Sequence, residues 1–118
     1  MKSAAELIAD AKSRVKEVTP DETIAMRASD PAVMLVDVRE DREWNLGHAA
    51  GAVHMSRGTL ESKIDQTVPR NVPVVLYCAS GNRSALAAES LRLMGYENVA
   101  SMSGGFRGWV DANGDIEG

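Results

Sequence analysis

Cysteine and aromatic residues are scarce in this chain of 118 residues, and a long apolar run is absent. One cysteine cannot form an intramolecular disulfide, which excludes a small disulfide-stabilised domain and favours a reducing, cytoplasmic location. No run approaches the roughly 20 apolar residues of a membrane-spanning helix. Charged residues also interrupt residues 1–10, where a signal peptide needs an unbroken apolar core. We therefore expect no membrane association.

Basic residues are outnumbered as well. The chain has 13 Lys and Arg against 17 Asp and Glu, which gives a formal net charge of −4 without a basic patch or stripe. Nucleic acid is therefore not an expected partner. There is no second thiol, and no cluster of His and carboxylate residues stands at metal-ligand spacing. We therefore expect neither a metal site nor a cofactor.

What remains is the composition of one globular domain. Apolar residues make up 44% of the chain and charged residues 25%, and this length is enough for a single core. No linker, repeat or low-complexity segment divides the sequence. We expect one domain over residues 1–118, with a helical extension at 1–17 and a frayed tail at 113–118.

Strand-like apolar runs alternate with segments of helical periodicity. Thr19-Pro-Asp-Glu22 combines an N-cap residue, a proline at the first helical position and a glutamate that completes a capping box. The alternation predicts a doubly wound α/β sheet, in which ligands bind beyond the carboxyl ends of the strands. The predicted strands are 32–38, 51–53, 72–77 and 97–102, and the predicted helices are an N-terminal one to about residue 16, 19–28, 57–65, 84–94 and one ending near residue 109.

The single cysteine, Cys78, lies between the strand-like run 72–77 and the helical segment 84–94. A helix N-terminus has free N–H groups and the positive end of the helix dipole, which together stabilise a thiolate. A loop of small residues can turn further N–H groups toward the sulfur. We therefore expect a thiol of lowered pKa and an exposed thiolate that oxidises readily. The residues that follow Cys78 are Ala79, Ser80, Gly81, Asn82, Arg83 and Ser84.

Arg83 is the only charged residue of the loop that begins at Cys78. Its planar fork of donors suits an oxyanion, and a cation is disfavoured at a helix N-terminus, so an arginine there indicates an anion nearby. The segment 78–83 is therefore interpreted as an anion cradle with a nucleophile at its floor. The alternatives are a buried structural thiol at Cys78 and a surface residue of the first helical turn at Arg83.

Four segments of the chain form a recognisable set: Leu35-Val-Asp-Val-Arg39, Glu43-Trp-Asn-Leu-Gly-His48 leading to Gly51-Ala-Val53, Cys78-Ala-Ser-Gly-Asn-Arg-Ser84, and Gly104-Gly-Phe-Arg-Gly-Trp109. In this order and at these distances they resemble the rhodanese sulfurtransferase family over about residues 18–112, and the segment 78–84 resembles the active-site loop of that family. The resemblance implies an α/β, rhodanese-like fold, with a doubly wound parallel five-stranded sheet and helices on both faces.

The activity implied by this resemblance is sulfur transfer. Cys78 is expected to accept sulfane sulfur from a small donor such as thiosulfate and to pass it, as a persulfide, to cyanide, a thiol or a sulfur-accepting protein. Residues 79–84 are expected to bind the donor. Thiolate attack on a sulfane sulfur followed by attack of an acceptor is a ping-pong reaction that needs no second cysteine.

Polar residues away from the loop have two interpretations each. Asp37 and Arg39 follow the apolar run 32–36, where they are either catalytic groups or an ion pair that organises the next turn. The resemblance favours the second role. It also assigns His48 to a hydrogen bond that fixes the loop after Trp44, rather than to general-base catalysis. For His54 both roles stay open.

Two other function classes compete with sulfur transfer. One is a non-catalytic binding or sulfur-relay module on the same fold. The other is a phosphatase or arsenate reductase, although relatives with those activities use a seven-residue loop and Cys78 to Arg83 spans six. The donor also stays open between thiosulfate, persulfides and polysulfides. Because the loop carries one cation, we expect only modest activity with thiosulfate.

Overall fold

Helices and strands alternate along the chain in the computed structural model, which describes residues 1–118. The helices are α1 (Ala4–Arg14), α2 (Pro20–Ser29), α3 (Asp41–Asn45), α4 (Leu60–Thr67), α5 (Asn82–Leu93) and α6 (Gly105–Asp111). The strands are β1 (Lys16–Val18), β2 (Met34–Asp37), β3 (His48–Ala49), β4 (Val53–His54), β5 (Val74–Tyr77), β6 (Val99–Met102) and β7 (Ile116–Glu117). None of the helices combines the length and the apolar character that crossing a bilayer requires.

The main sheet has five strands in the order β1-β6-β5-β2-β4, and every pair in it is parallel. Alternate residues of β5 serve its two faces. Val74 and Leu76 pack with α1, α4 and α5, whereas Val75 and Tyr77 pack with α2 and α6. Strands buried on both faces in this way form continuous apolar runs. The predicted α/β architecture of five parallel strands with helices on both faces is confirmed.

The N-terminal segment differs from the predicted helical extension, because it also supplies an edge strand. After α1 ends, β1 pairs with β6 in a register that places Val18 opposite Met102. Helix α1 itself packs along α5 through the fully buried Ala11, and Arg14 forms an ion pair with Glu89. The N-terminal segment therefore packs on the domain through Ala11 and Val15, whereas most of its other residues are exposed.

Two helix starts follow local sequence signals. The predicted capping box at the start of α2 is confirmed: Thr19 Oγ1 accepts from the Glu22 N–H at 3.0 Å, and Glu22 Oε1 accepts from the Thr19 N–H at 2.8 Å. Helix α5 begins at Asn82, two residues before the predicted start, because Gly81 takes a φ of 102° and completes the turn from β5. A residue with a Cβ rarely adopts that conformation.

The C-terminal tail is not frayed, and that part of the prediction is wrong. Ile116 and Glu117 form β7, which pairs antiparallel with β3. The tail is held by Trp109, whose indole N–H donates to the Asp115 carbonyl at 2.8 Å, and the Ala50 N–H donates to the same carbonyl at 2.9 Å. A polar sequence therefore becomes ordered because α6 presents a buried indole that needs an acceptor.

Removing residues 115–118 should therefore destabilise the domain. The deletion leaves the Trp109 indole and the Ala50 N–H without their acceptor, and we expect the free energy of unfolding in urea to fall by about 2 kcal/mol. Amide exchange at Ala50 should accelerate in the same variant. Deletion of Gly118 alone, which lies outside the β3–β7 pair, is the control. Equal stability of both variants and the full chain would mean that the tail contributes nothing.

Candidate active site

The thiol lies where three parallel strands end. Strands β2, β5 and β6 are neighbours in the sheet, so their carboxyl ends, followed by the loops that begin at 38, 78 and 103, lie at one edge. The start of α6 packs against the loop after β5: the Phe106 N–H donates to the Cys78 carbonyl at 2.8 Å. The loop after β5 and the start of α6 are therefore in direct contact. Asp37, at the carboxyl end of β2, is fully buried.

Hydrogen-bond donors converge on the Cys78 sulfur. The Gly81 N–H donates to Sγ at 3.1 Å and the Ser84 N–H at 3.4 Å, while Ser84 Oγ lies 3.5 Å from the same atom. Gly81 is the N-cap of α5 and Ser84 lies in its first turn, so these are the free N–H groups of a helix start. These donors lie at the helix N-terminus that the sequence predicts beside the thiol.

A second serine stands behind the first. Ser101 Oγ lies 2.8 Å from Ser84 Oγ, and both residues are fully buried. When the Ser84 hydroxyl donates its hydrogen to a thiolate, the Ser84 Oγ can accept a hydrogen bond from the Ser101 hydroxyl. No role at the site was predicted for Ser101. The sequence feature that could have indicated a role for Ser101 is a polar residue inside the buried strand β6.

Burial and hydrogen bonding act on the thiol in opposite directions. Burial raises the pKa of Cys78, but hydrogen bonds from Ser84, Ser80 and Gly81 lower it by more, and its pKa ends below the ordinary value. The residue is only 1% exposed, so the expectation of an exposed thiolate is wrong. Because the sulfur is buried, the thiolate is stabilised by hydrogen-bond donors of the protein in place of water.

The other loop residues lie at the surface or at its edge. Ser80 and Asn82 are exposed and Ala79 is half-buried, and the Ala79 carbonyl accepts from the Arg107 N–H at 3.4 Å. Gly105 sets how closely α6 approaches this loop. A Cβ on Gly105 would stand 2.5 Å from the Cys78 carbonyl oxygen, at a φ of 56°. The loop and α6 are therefore in backbone contact.

Arg83 does not project freely from the loop. Its two terminal nitrogens donate to the two carboxylate oxygens of Glu43, at 2.9 and 3.1 Å. Glu43 Oε1 also accepts from the Glu40 N–H at 3.0 Å, at the start of α3. Arg83 on its own predicted a nearby anion, and in this structure that anion is Glu43. Sequence reasoning missed Glu43 because it lies 40 positions away and only the fold brings it to the loop.

Asp37 and Arg39 form a buried ion pair under the site. Arg39 Nη2 donates to Asp37 Oδ2 at 2.8 Å and to the Gly47 carbonyl at 2.7 Å, and the Arg39 backbone N–H donates to Asp37 Oδ1 at 2.8 Å. The guanidinium also lies 4.3 Å from the centre of the Phe106 ring. These contacts join the turn after β2 to the segment before β3 and to α6.

Both histidines stack on Trp44. The His48 ring lies parallel to it with centres 3.4 Å apart, and its Nδ1 is 3.1 Å from the Trp44 carbonyl. The centres of the His54 and Trp44 rings lie 4.9 Å apart, also in a stacked arrangement, and His54 Nε2 is 2.8 Å from the Arg39 carbonyl. Neither ring is among the hydrogen-bond partners of Cys78, and both contact the backbone of the segment that carries Glu43.

Comparison with known proteins gives concordant matches. The rhodanese-like domain family matches residues 19–112. A protein named thiosulfate sulfurtransferase GlpE, from Tolumonas auensis, is 39% identical over 79 residues, which cover 67% of this chain and 74% of that protein. A Pseudomonas entomophila protein of the same name is 33% identical over 97 residues, with 82% and 86% coverage.

A solved structure is similar over almost the whole chain. It is a Rhodopseudomonas palustris protein described as of unknown function and as a possible tyrosine phosphatase. The two structures superpose with a TM-score of 0.88 at 36% identity, over 99% of this chain and 96% of that one. The fold including α1 and β1 is thus shared with this neighbour.

The Ser84 hydrogen bonds should be visible in the titration of the thiol. We expect Ser84→Ala to move the midpoint of the Cys78 titration to higher pH, because the variant loses a hydrogen bond that favours the thiolate. With one cysteine in the chain, ultraviolet thiolate absorbance reports this group alone. Ser90→Ala, on the same helix but bonded to Glu61, should leave the midpoint unchanged. Identical midpoints for all three proteins would contradict the assignment.

Gly105→Ala tests the close contact between α6 and the loop. The added Cβ overlaps the Cys78 carbonyl, so we expect the free energy of unfolding to fall by about 2 kcal/mol or more and the thiol titration to change. Gly58→Ala is the control, since nothing lies within 4 Å of the Cβ it adds. A stability loss equal to that of the control would argue against a fixed contact.

Proposed function

The chain belongs to the rhodanese-like domain family, and from that premise we propose that it is a sulfurtransferase in which Cys78 carries sulfane sulfur as a persulfide. The observation that carries the proposal is the convergence of the Gly81 and Ser84 donors on one buried sulfur whose pKa is lowered. A lowered pKa gives the thiolate that attacks a sulfane sulfur. The same donors favour an anionic persulfide once it has formed.

The reaction has two displacement steps. The Cys78 thiolate attacks the outer sulfur of thiosulfate, the sulfur–sulfur bond of the donor breaks, and sulfite leaves with the bonding pair. An acceptor such as cyanide then attacks the outer sulfur of the Cys78 persulfide, and thiocyanate leaves while the thiolate is restored. Each step transfers one neutral sulfur atom, so no external oxidant or reductant is consumed.

Residues 79–84 are the proposed donor-binding segment. The N–H groups of this loop and of the α5 start form the neutral part of the cradle, and Ser80 and Asn82 are the exposed side chains that meet a donor first. Asp37, Arg39 and His48 are proposed as structural support, because each bonds to backbone beside the site. We assign the whole chain, residues 1–118, to one domain.

The substrates are small: a sulfane sulfur donor and a thiophilic acceptor. We further propose that a protein thiol can act as acceptor and that the enzyme works in a reducing cytoplasm. Both proposals rest on the chemistry of the site, since the reaction requires Cys78 to return to the free thiolate after each cycle.

Phosphate-ester hydrolysis is the competing activity, given the description of the Rhodopseudomonas palustris neighbour. A phosphatase loop must aim free N–H groups and an arginine fork at a dianionic phosphate. Here Gly81 and Ser84 donate to the sulfur itself, and both outer nitrogens of Arg83 are bound by Glu43. The geometry therefore favours sulfur transfer over phosphate chemistry.

Intact mass spectrometry of reduced protein tests the proposal. Incubation with thiosulfate should add one sulfur atom, and cyanide should remove it with release of thiocyanate. Cys78→Ser should add no sulfur and abolish transfer while its fold and unfolding transition persist. Full transfer activity in that variant, or hydrolysis of a phosphate ester by the wild type without sulfur uptake, would refute the assignment.

A further inference from the structure

The ion pair between Arg83 and Glu43 is the unexplained feature of the site. Arg83 is the only charged residue among positions 78–83, and it is placed where a cation would attract an anionic donor. Both of its terminal nitrogens instead bind the two Glu43 oxygens in the two-point geometry of an arginine–carboxylate pair. Glu43 Oε1 also accepts from the Glu40 N–H, so the carboxylate has a second contact that does not depend on Arg83.

The pair cancels the positive charge of the loop. Its side chains are only partly exposed, 36% for Arg83 and 34% for Glu43, so water screens them incompletely. The hydrogen bond from Arg83 lowers the pKa of the Glu43 carboxyl to about 2, so the carboxylate is ionised at neutral pH. A donor therefore meets one positive and one negative side chain rather than a cation alone.

Within positions 78–83 no other charged residue replaces Arg83. The exposed Arg107, whose backbone N–H donates to the Ala79 carbonyl, lies outside this loop on α6. The buried guanidinium of Arg39 is paired with Asp37. Glu40 adds a further negative charge that Arg83 senses. Within the loop, the attraction that remains for an anion comes from N–H dipoles, which are short-ranged and suit a single negative charge on the transferred sulfur.

We propose that Glu43 is a specificity-determining residue, which neutralises Arg83 and so makes the site discriminate against the second negative charge of a dianionic donor. This inference rests on the proposed sulfur transfer and specifies the class of donor for the same site. The favoured donors carry one negative charge next to the sulfane sulfur, as thiosulfonates and persulfide anions do. Thiosulfate is used, but less efficiently than the loop would allow without Glu43.

Two donors that differ by one charge provide the test. Thiosulfate is a dianion, whereas methanethiosulfonate carries a methyl group in place of one charged oxygen and is a monoanion. Cys78 attacks the sulfane sulfur of either, with sulfite or methanesulfinate as leaving group. The quantity of interest is the ratio of kcat/KM for thiosulfate to kcat/KM for methanethiosulfonate, because intrinsic reactivity cancels when variants are compared with wild type.

Glu43→Gln should raise this ratio roughly two- to fivefold, through a lower KM for thiosulfate, which is the range expected for a partly exposed charge pair. Glutamine keeps the acceptor for the Glu40 N–H, so α3 retains its cap. Glu89→Gln is the matched control: it removes the same charge from another ion pair, on α5 with Arg14 of α1. Its ratio should equal that of the wild type.

The same kcat/KM ratio measured for Arg83→Ala is a second test, which can still be made if Glu43→Gln folds poorly. With Glu43 left uncompensated, the ratio should fall below wild type, because the dianion is repelled more than the monoanion. The double variant Arg83→Ala/Glu43→Gln should return toward the wild-type ratio, since both charges are gone. A Glu43→Gln ratio equal to that of the wild type would overturn the proposal, and, if that variant does not fold, so would an unchanged ratio in Arg83→Ala.

The outcome for sulfur transfer itself is read separately. If wild-type protein gains no cyanide-removable sulfur from either donor, the proposed function fails and the inference about Glu43 falls with it. If the wild type forms the persulfide with both donors but Glu43→Gln matches Glu89→Gln in its ratio, sulfur transfer stands and only the role of Glu43 is rejected.

Discussion

The parallel alignment of β2, β5 and β6 is the constraint on which the site depends. Parallel strands end at one edge, so the loop that holds Cys78, the buried Asp37 and the start of α6 are forced together by backbone pairing alone. Gly105 then allows α6 to touch the Cys78 carbonyl, and the sulfur is enclosed between a strand end and two helix starts. Each side chain of the site acts from a position that this pairing sets.

The sequence predicted those elements whose signals are local. Thr19 and Glu22 predict the start of α2. An apolar run before Cys78 and small residues after it predict a strand, a turn and a helix. Strand β1 was missed because two of its three residues are charged and exposed, and pairing with β6 rather than side-chain burial makes it a strand. The tail was missed for the same reason, since Trp109 orders it from a distance.

The same distinction applies to the site. Cys78 and its loop were identified because nucleophile, small residues and helix lie next to one another in sequence. Ser101 and Glu43 act through Ser84 and Arg83, and nothing adjacent to them in the chain reveals these pairings. The burial of the thiol was considered only as an alternative to an exposed thiolate, because it results from the loop packing against α6 and not from the composition of the loop.

The site stabilises a buried anion chiefly with neutral groups. An unpaired arginine would attract anions without regard to their structure, and salt would weaken that attraction. The N–H groups fixed at 3.1 and 3.4 Å from one sulfur act only at contact. Pairing Arg83 with Glu43 keeps the guanidinium in place without its net charge. Thiolate formation and donor selection are thereby separated: hydrogen bonds set the reactivity of Cys78, and the ion pair at the edge of the loop sets which charges approach it.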